Sequence, residues 1–350
     1  MALSPTEREI LSRIPTGSDH DPLHPEFPPN EPRFPATPTR QIEVPGFSNV
    51  WLKDESVNPS GTHKDRMAWE IIRTYRDFLR AKEAGFADGP LPEMSIISHG
   101  SAAIAIQQLL RLYGLPNLRV IVDVSLPRLR ADILQQIGCR VYEVDLAHRT
   151  LYWQDVLRIT ENPTGMDITS SAALDPTSRF YDWMAYEILN ECPTYCFVPF
   201  GTGNLFENIF NVLKHEVMAD VPDPRLKVDI NQARRCNILA ATIQNMNSKA
   251  CSLYSSRLPY VNYSEHWMRF YRKLGCCGPD SGVKILDEEY LDHALQIAAD
   301  QGIRCEAAGI AGLALMLQRQ DRLPRDQKML LINTGRTRLL FDGILTEYPA

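Results

Sequence analysis

Residues 95–144 read SIISHGSAAIAIQQLLRLYGLPNLRVIVDVSLPRLRADILQQIGCRVYEV. Three short apolar runs, Ser95–Ser98, Leu118–Val124 and Cys139–Val144, alternate with two longer segments, Ala102–Tyr113 and Pro127–Ile137, whose apolar residues recur at helical spacing. Each connection between strands is itself a helix, so the strands do not pair as hairpins. They build a parallel sheet.

The same alternation extends in both directions. Upstream, Asn49–Leu52 is a short strand. Lys64 to Ala84 is a helix with Met67, Ile71, Ile72, Tyr75, Phe78 and Leu79 at helical spacing and Gly85 as its stop. Downstream, helices are expected over Arg179–Asn190, Leu205–Glu216, Asp287–Gln301 and Ala307–Gln318, and strands over Tyr195–Val198, Asn237–Ile243 and Lys328–Ile332. The fold class is α/β with mostly parallel sheets. Residues 1–46 stand apart. A short helical start, Pro5 to Ile14, leads into a stretch dense in proline, from Pro15 to Pro45, which cannot be regular helix or central strand. It reads as an arm.

The 350 residues are 44% apolar and 23% charged, an ordinary globular composition that excludes global disorder. The net charge of −6 argues against nucleic acid as partner. No apolar run approaches the roughly 20 residues that span a bilayer, and Glu7, Arg8 and Glu9 stand where an export signal needs apolar residues. Eight scattered cysteines read as reduced and cytoplasmic, and none stands in a zinc-spaced set, so no metal is expected.

Four segments carry candidate chemistry, each at a strand-to-helix turn or strand end, where α/β folds place ligand groups. In Asn58-Pro59-Ser60-Gly61-Thr62-His63-Lys64-Asp65-Arg66 a lysine occupies the first turn of a helix. The positive end of the helix dipole disfavours an ammonium there and so favours a nucleophilic amine; the alternative is a solvated surface lysine. Ser98-His99-Gly100-Ser101-Ala102-Ala103 offers backbone N–H groups to a carboxylate, or is an ordinary helix start capped by Ser101. Pro199-Phe200-Gly201-Thr202-Gly203-Asn204-Leu205 suits a phosphate, yet lacks both the third glycine of a dinucleotide fingerprint and the Lys-Ser/Thr of a nucleotide loop. Ile332-Asn333-Thr334-Gly335-Arg336 ends a strand in a hydroxyl and a glycine, after the small-residue helix start Cys305-Glu306-Ala307-Ala308-Gly309.

In this order and spacing the segments resemble the fold-type II pyridoxal-phosphate (PLP) enzymes over about residues 37 to 342, beginning with Thr37-Pro38 and Lys53-Asp54-Glu55. The Asn58-to-Arg66 segment is close to the lysine motif of threonine synthase. His63 before Lys64 is similar to the tryptophan synthase β subunit. Thr334-Gly335-Arg336 resembles both.

The resemblance implies that Lys64 holds the cofactor as an internal aldimine and then serves as the proton-transfer base. It implies that Gly201, Thr202, Gly203, Asn204 and Leu205 bind the cofactor phosphate, that His63 approaches it, and that Thr334 meets the pyridine nitrogen. Ser98, His99, Gly100, Ser101 and Ala102 would hold the substrate carboxylate. Ser101 stands where the family usually has an asparagine that also contacts the cofactor. A neutral threonine cannot stabilise a pyridinium as a carboxylate would, so the ring is a weaker electron sink. Elimination or replacement at the β or γ carbon then fits better than transamination.

The expected activity is threonine-synthase-like, on an amino acid with an activated side-chain oxygen, with Arg336 and Arg338 available to an acidic leaving group. Alternatives are a serine/threonine dehydratase, a catalytically altered relative that binds PLP or an amino acid, and a nicotinamide enzyme. The architecture implied is two three-layer domains with PLP in the cleft between them: a large domain over 47–85 and 186–350 and a small mobile domain over 86–185, in a homodimer. No regulatory domain is expected after Arg338.

Overall fold

The strands run in chain order β1 (Thr39–Val44), β2 (Phe47–Asp54), β3 (Met94–Ile97), β4 (Arg119–Asp123), β5 (Arg140–Val144), β6 (Met166–Asp167), β7 (Tyr195–Pro199), β8 (Asn237–Thr242), β9 (Gly282–Ile285) and β10 (Met329–Asn333). The main helices are α1 (Lys64–Glu83), α2 (Ser101–Leu112), α3 (Arg128–Gln136), α4 (Trp153–Ile159), α5 (Asp182–Asn190), α6 (Asn204–Met218), α7 (Glu288–Asp300) and α8 (Ala311–Gln318). This computed structural model describes residues 36–86, 88–146, 151–169, 180–254, 265 and 268–343. The helical start at Pro5 to Ile14 and the prolines up to Pro35 lie outside the described residues.

Contacts divide the chain into two units. One holds 35–63 and 181–336; the other holds 64–180 and the segment from Thr337 onward. The boundary thus falls at 63/64, because α1 packs on α2. The sequence ranges had grouped residues 64–85 with the larger domain.

The first unit carries a six-stranded sheet in the order β1-β2-β10-β7-β8-β9, parallel except for the edge pair β1–β2. Strands β7, β8 and β10 are buried at every position, as the apolar runs of a parallel sheet require. The helix α8, AGLALMLQ, is buried from Ala311 to Leu317 and packs on β7, β8 and β10. It starts at Ala311, later than the expected Ala307, since residues 307–310 form a turn whose Gly309 carbonyl accepts from Thr334 N at 3.0 Å. Within the stretch read as an arm, Thr39–Val44 is an edge strand flanked by Pro38 and Pro45. An edge is where neighbouring prolines are tolerated.

The second unit carries a four-stranded parallel sheet in the order β5-β4-β3-β6. Here α2 buries Ala103, Ile104, Ala105, Ile106, Leu109 and Leu110. The fold is α/β with two mostly parallel sheets.

Candidate active site

The end of β2 places three buried charges in a row. Lys53 is 1% exposed; its Nζ lies 2.5 Å from Glu187 Oε2 and donates to the Thr37 carbonyl at 3.2 Å. Asp54 Oδ1 accepts from Ser56 N (3.0 Å), Ser56 Oγ (2.6 Å) and Asn333 Nδ2 (2.9 Å). Glu55 accepts from Thr37 Oγ1 (2.5 Å) and Asn58 Nδ2 (2.8 Å), and the same Asn58 nitrogen donates to the Thr62 carbonyl at 3.1 Å. A buried charge persists only when it is paired and hydrogen-bonded. These partners are therefore what shapes the 58–62 loop. The positioning part of Asp54, Glu55 and Asn333 was missed in the sequence, although three consecutive charges ending an apolar strand are an unusual signal.

That loop crosses the strand end after β10. Thr62 and Gly335 form an isolated antiparallel bridge. His63 N donates to the Thr334 carbonyl at 3.1 Å, His63 Nδ1 lies 3.3 Å from the same oxygen, and Arg336 N donates to the Gly61 carbonyl at 2.8 Å. The crossing has no room for a side chain. A Cβ on Gly335 (φ +96°) would stand 2.1 Å from the Gly61 oxygen, and one on Gly309 would stand 2.3 Å from the Gly335 oxygen. Thr334 is buried, yet its hydroxyl has no hydrogen-bond partner among the described residues. The His63 ring lies 5.3 Å from that of Tyr181.

Lys64 follows His63 in the chain and opens α1. Its side chain is half-buried, and loss of hydration around the amine pushes its pKa down from 10.5 to about 8. Both protonation states are then accessible near neutrality, as a proton-transferring amine requires.

In the same unit as His63 and Thr334, β7 runs into the turn Gly201–Gly203 and then α6. Gly203 takes φ +88°, a left-handed conformation that turns the chain into the helix. Among the described residues, none of the N–H groups from Gly201 to Phe206 donates to an acceptor. Nor do the side chains of Thr202 and Asn204 have partners there. Free donors at the positive end of a long helix suit a phosphate.

The Ser98–Ala102 loop belongs to the other unit. Ser101 does not cap α2 as the ordinary reading had it. Gly100 (φ +134°) is the capping residue, and Ser98 Oγ accepts from Gly100 N at 3.2 Å and from Ala103 N at 3.4 Å. The Ser101 hydroxyl instead accepts from Thr337 Oγ1 at 2.7 Å. His99 is exposed, and Ser101 and Ala102 are half-buried. The N–H groups of His99, Ser101 and Ala102 meet no acceptor among the described residues. No group of three or more metal-ligating side chains is found there either.

The donor set defines what can be held. The 201–206 turn suits an anion. The free Thr334 hydroxyl suits a neutral ring nitrogen. Within the first unit, that turn and that hydroxyl are donors a phosphorylated pyridine needs. In the other unit, the Lys64 amine suits a carbonyl carbon.

Comparison with known proteins agrees. The family model described as "Pyridoxal-phosphate dependent enzyme" matches residues 33–335. No curated protein sequence matches. Among solved structures, O-ureido-L-serine synthase has a TM-score of 0.61 at 17% identity, covering 89% of this chain and 94% of its own. The O-acetylserine-dependent cystathionine β-synthase of Helicobacter pylori has a TM-score of 0.59 at 14% identity, covering 97% and 98%. Diaminopropionate ammonia lyase of Escherichia coli has a TM-score of 0.59 at 12% identity, covering 99% and 95%. At these identities the likeness shows the fold.

Proposed function

The chain belongs to the pyridoxal-phosphate-dependent enzyme family, and from that membership we propose that it catalyses elimination or replacement at the β or γ carbon of an amino acid with an activated side-chain oxygen. Its cofactor is pyridoxal phosphate. When bound, that group supplies the electron sink for bonds broken at the amino acid's α carbon.

The residues divide the remaining work. The N–H groups of Gly201, Thr202, Gly203, Asn204 and Leu205 bind the phosphate. Lys64 Nζ is the attachment point and then the base that takes and returns the substrate's α proton. The Thr334 hydroxyl orients the ring nitrogen without supplying a negative charge. His63 stays fixed against the Thr334 carbonyl and keeps Lys64 at the helix start. The Ser98–Ala102 loop binds the substrate carboxylate.

One observation carries the choice of reaction: Thr334, the residue assigned to the ring nitrogen, is neutral and its hydroxyl has no competing partner among the described residues. With the cofactor bound, a neutral partner would leave the ring a modest electron sink, which would favour elimination or replacement over transamination. One of the solved structures named above depends, by its name, on O-acetylserine, and another is named as a synthase of O-ureido-L-serine, which supports chemistry at a serine side-chain oxygen. Threonine-synthase-like specificity is the preferred form. Simple dehydration of serine or threonine is the second reading; the name of the ammonia lyase supports elimination without replacement.

The test is a screen of the PLP-loaded protein against O-acetyl-L-serine, O-phospho-L-serine, O-phospho-L-homoserine, L-serine and L-threonine, following cofactor absorbance and keto-acid release. Turnover with an O-activated substrate is expected. Unchanged absorbance with all five overturns the reading, and absorbance changes without turnover identify a binding relative. A cytoplasmic homodimer belongs to the same reading, and light scattering checks the dimer. No helix among the described residues is long and apolar enough to cross a membrane.

A further inference from the structure

Thr337 lies outside every segment so far given a role. Its side chain is fully buried, and its hydroxyl donates to Ser101 Oγ at 2.7 Å. A serine hydroxyl has one proton and two acceptor sites. With Thr337 donating, the Ser101 proton remains to be given away, and among the described residues it reaches no acceptor. A hydroxyl that accepts while it donates is polarised and becomes a stronger donor.

A second contact braces the same loop. The space beside Gly100 is closed by Leu340, whose Cδ1 would stand 3.3 Å from an added Cβ. The segment from Thr337 to Leu340 therefore meets the loop at two adjacent residues, once by a hydroxyl and once by a methyl group. Ser101 O–H and the N–H groups of Ser101 and Ala102 are left as adjacent donors without partners among the described residues.

The geometry points to Thr337 as a positioning residue for substrate recognition: it commits the Ser101 proton to the carboxylate held by the 98–102 loop. This rests on the reading of that loop as the carboxylate site. Thr337 acts through Ser101 and touches no reacting atom.

The experiment is calorimetric titration of the PLP-loaded protein with L-alanine, and with ethylamine as the same amine lacking the carboxylate. Wild-type protein binds L-alanine the more tightly. Thr337→Val weakens L-alanine about tenfold, the worth of one hydrogen bond to a charged group, and leaves ethylamine unchanged. Thr337→Ser, which keeps the hydroxyl, retains wild-type affinity. Ser101→Ala reproduces the loss, and the double variant loses no more than either alone.

Thr337→Val with wild-type L-alanine affinity overturns the inference, as does an equal loss for both amines or a Thr337→Ser variant as impaired as Thr337→Val. If Thr337→Val does not fold, Thr337→Ser and Ser101→Ala still decide. Wild-type protein that loads with cofactor but does not prefer L-alanine to ethylamine overturns the carboxylate loop itself, which is a different result.

Discussion

Asn333 donates from its carboxamide to Asp54 at 2.9 Å, and so locks the end of β10 to the end of the parallel strand beside it. The same carboxamide nitrogen donates to the Arg304 carbonyl at 2.9 Å, and its oxygen accepts from Gly335 N at 3.0 Å. One fully buried side chain thus holds three segments around the crossing that carries Thr334 and His63. Replacing Asn333 by alanine leaves a buried carboxylate short of a donor and a buried N–H without an acceptor. The expected loss is about 2–4 kcal/mol in urea unfolding, accompanied by weaker cofactor retention. A loss under about 0.5 kcal/mol would show that the lock is redundant.

Lys64 has a pH signature that needs no cofactor. Its folded pKa of about 8 lies below the 10.5 of an ordinary lysine, through desolvation. The unfolded chain therefore binds more protons between those two values, and stability rises with pH across that window. Below about pH 8 the penalty for the desolvated ammonium is fully present. Cofactor-free Lys64→Met should be more stable than wild type at pH 7, and the gap should close as pH rises from about 8 to 10.5. Thermal melts at several pH values measure it; a gap independent of pH refutes the shift. With cofactor added, Lys64→Met should give no borohydride-reducible adduct by mass spectrometry and no turnover.

How much of this was readable beforehand depended on the range of the forces involved. The 95–144 alternation was legible because buried parallel strands need unbroken apolar runs. Glycines at 201 and 203, a lysine at position 64 and a lone hydroxyl at 334 stood out because each sits at a strand end or at the start of a helix. The strand β9, Gly282–Ile285, was not, since the alternation in GVKI is too short to stand out and is held by pairing to β8. The two-residue β6 is likewise held by its pairing with β3. Nor was the pairing of Asp54 with Asn333, 279 residues away. The sequence left Ser101 open between a helix cap and a carboxylate donor, because the hydroxyl it meets belongs to Thr337, 236 residues along the chain.

Thr334 separates cofactor binding from folding. Its hydroxyl has no partner among the described residues, so Thr334→Val removes no internal hydrogen bond and keeps the volume. Stability should change by under about 1 kcal/mol. PLP affinity, followed by absorbance titration, should fall about tenfold. Thr334→Asp should instead favour a protonated ring and longer-wavelength absorbance with amino acids. If Thr334→Val binds cofactor as wild type does, the hydroxyl is not at the ring.

Glycine substitution distinguishes backbone conformation from close packing. Gly302 and Gly335 both have positive φ, +63° and +96°. A Cβ on Gly302 meets nothing within 4 Å, whereas one on Gly335 would stand 2.1 Å from the Gly61 carbonyl oxygen and 3.0 Å from Thr62 Cα. Gly302→Ala should therefore cost only the conformational term, about 1 kcal/mol. Gly335→Ala must move either its own strand end or the loop that leads into Lys64, because both contacts are backbone and neither can rotate away. A cost of about 3 kcal/mol or more is expected, and the displaced loop should lose cofactor even where the variant folds. Equal losses in denaturant for the two variants would mean that the crossing is looser than its distances show.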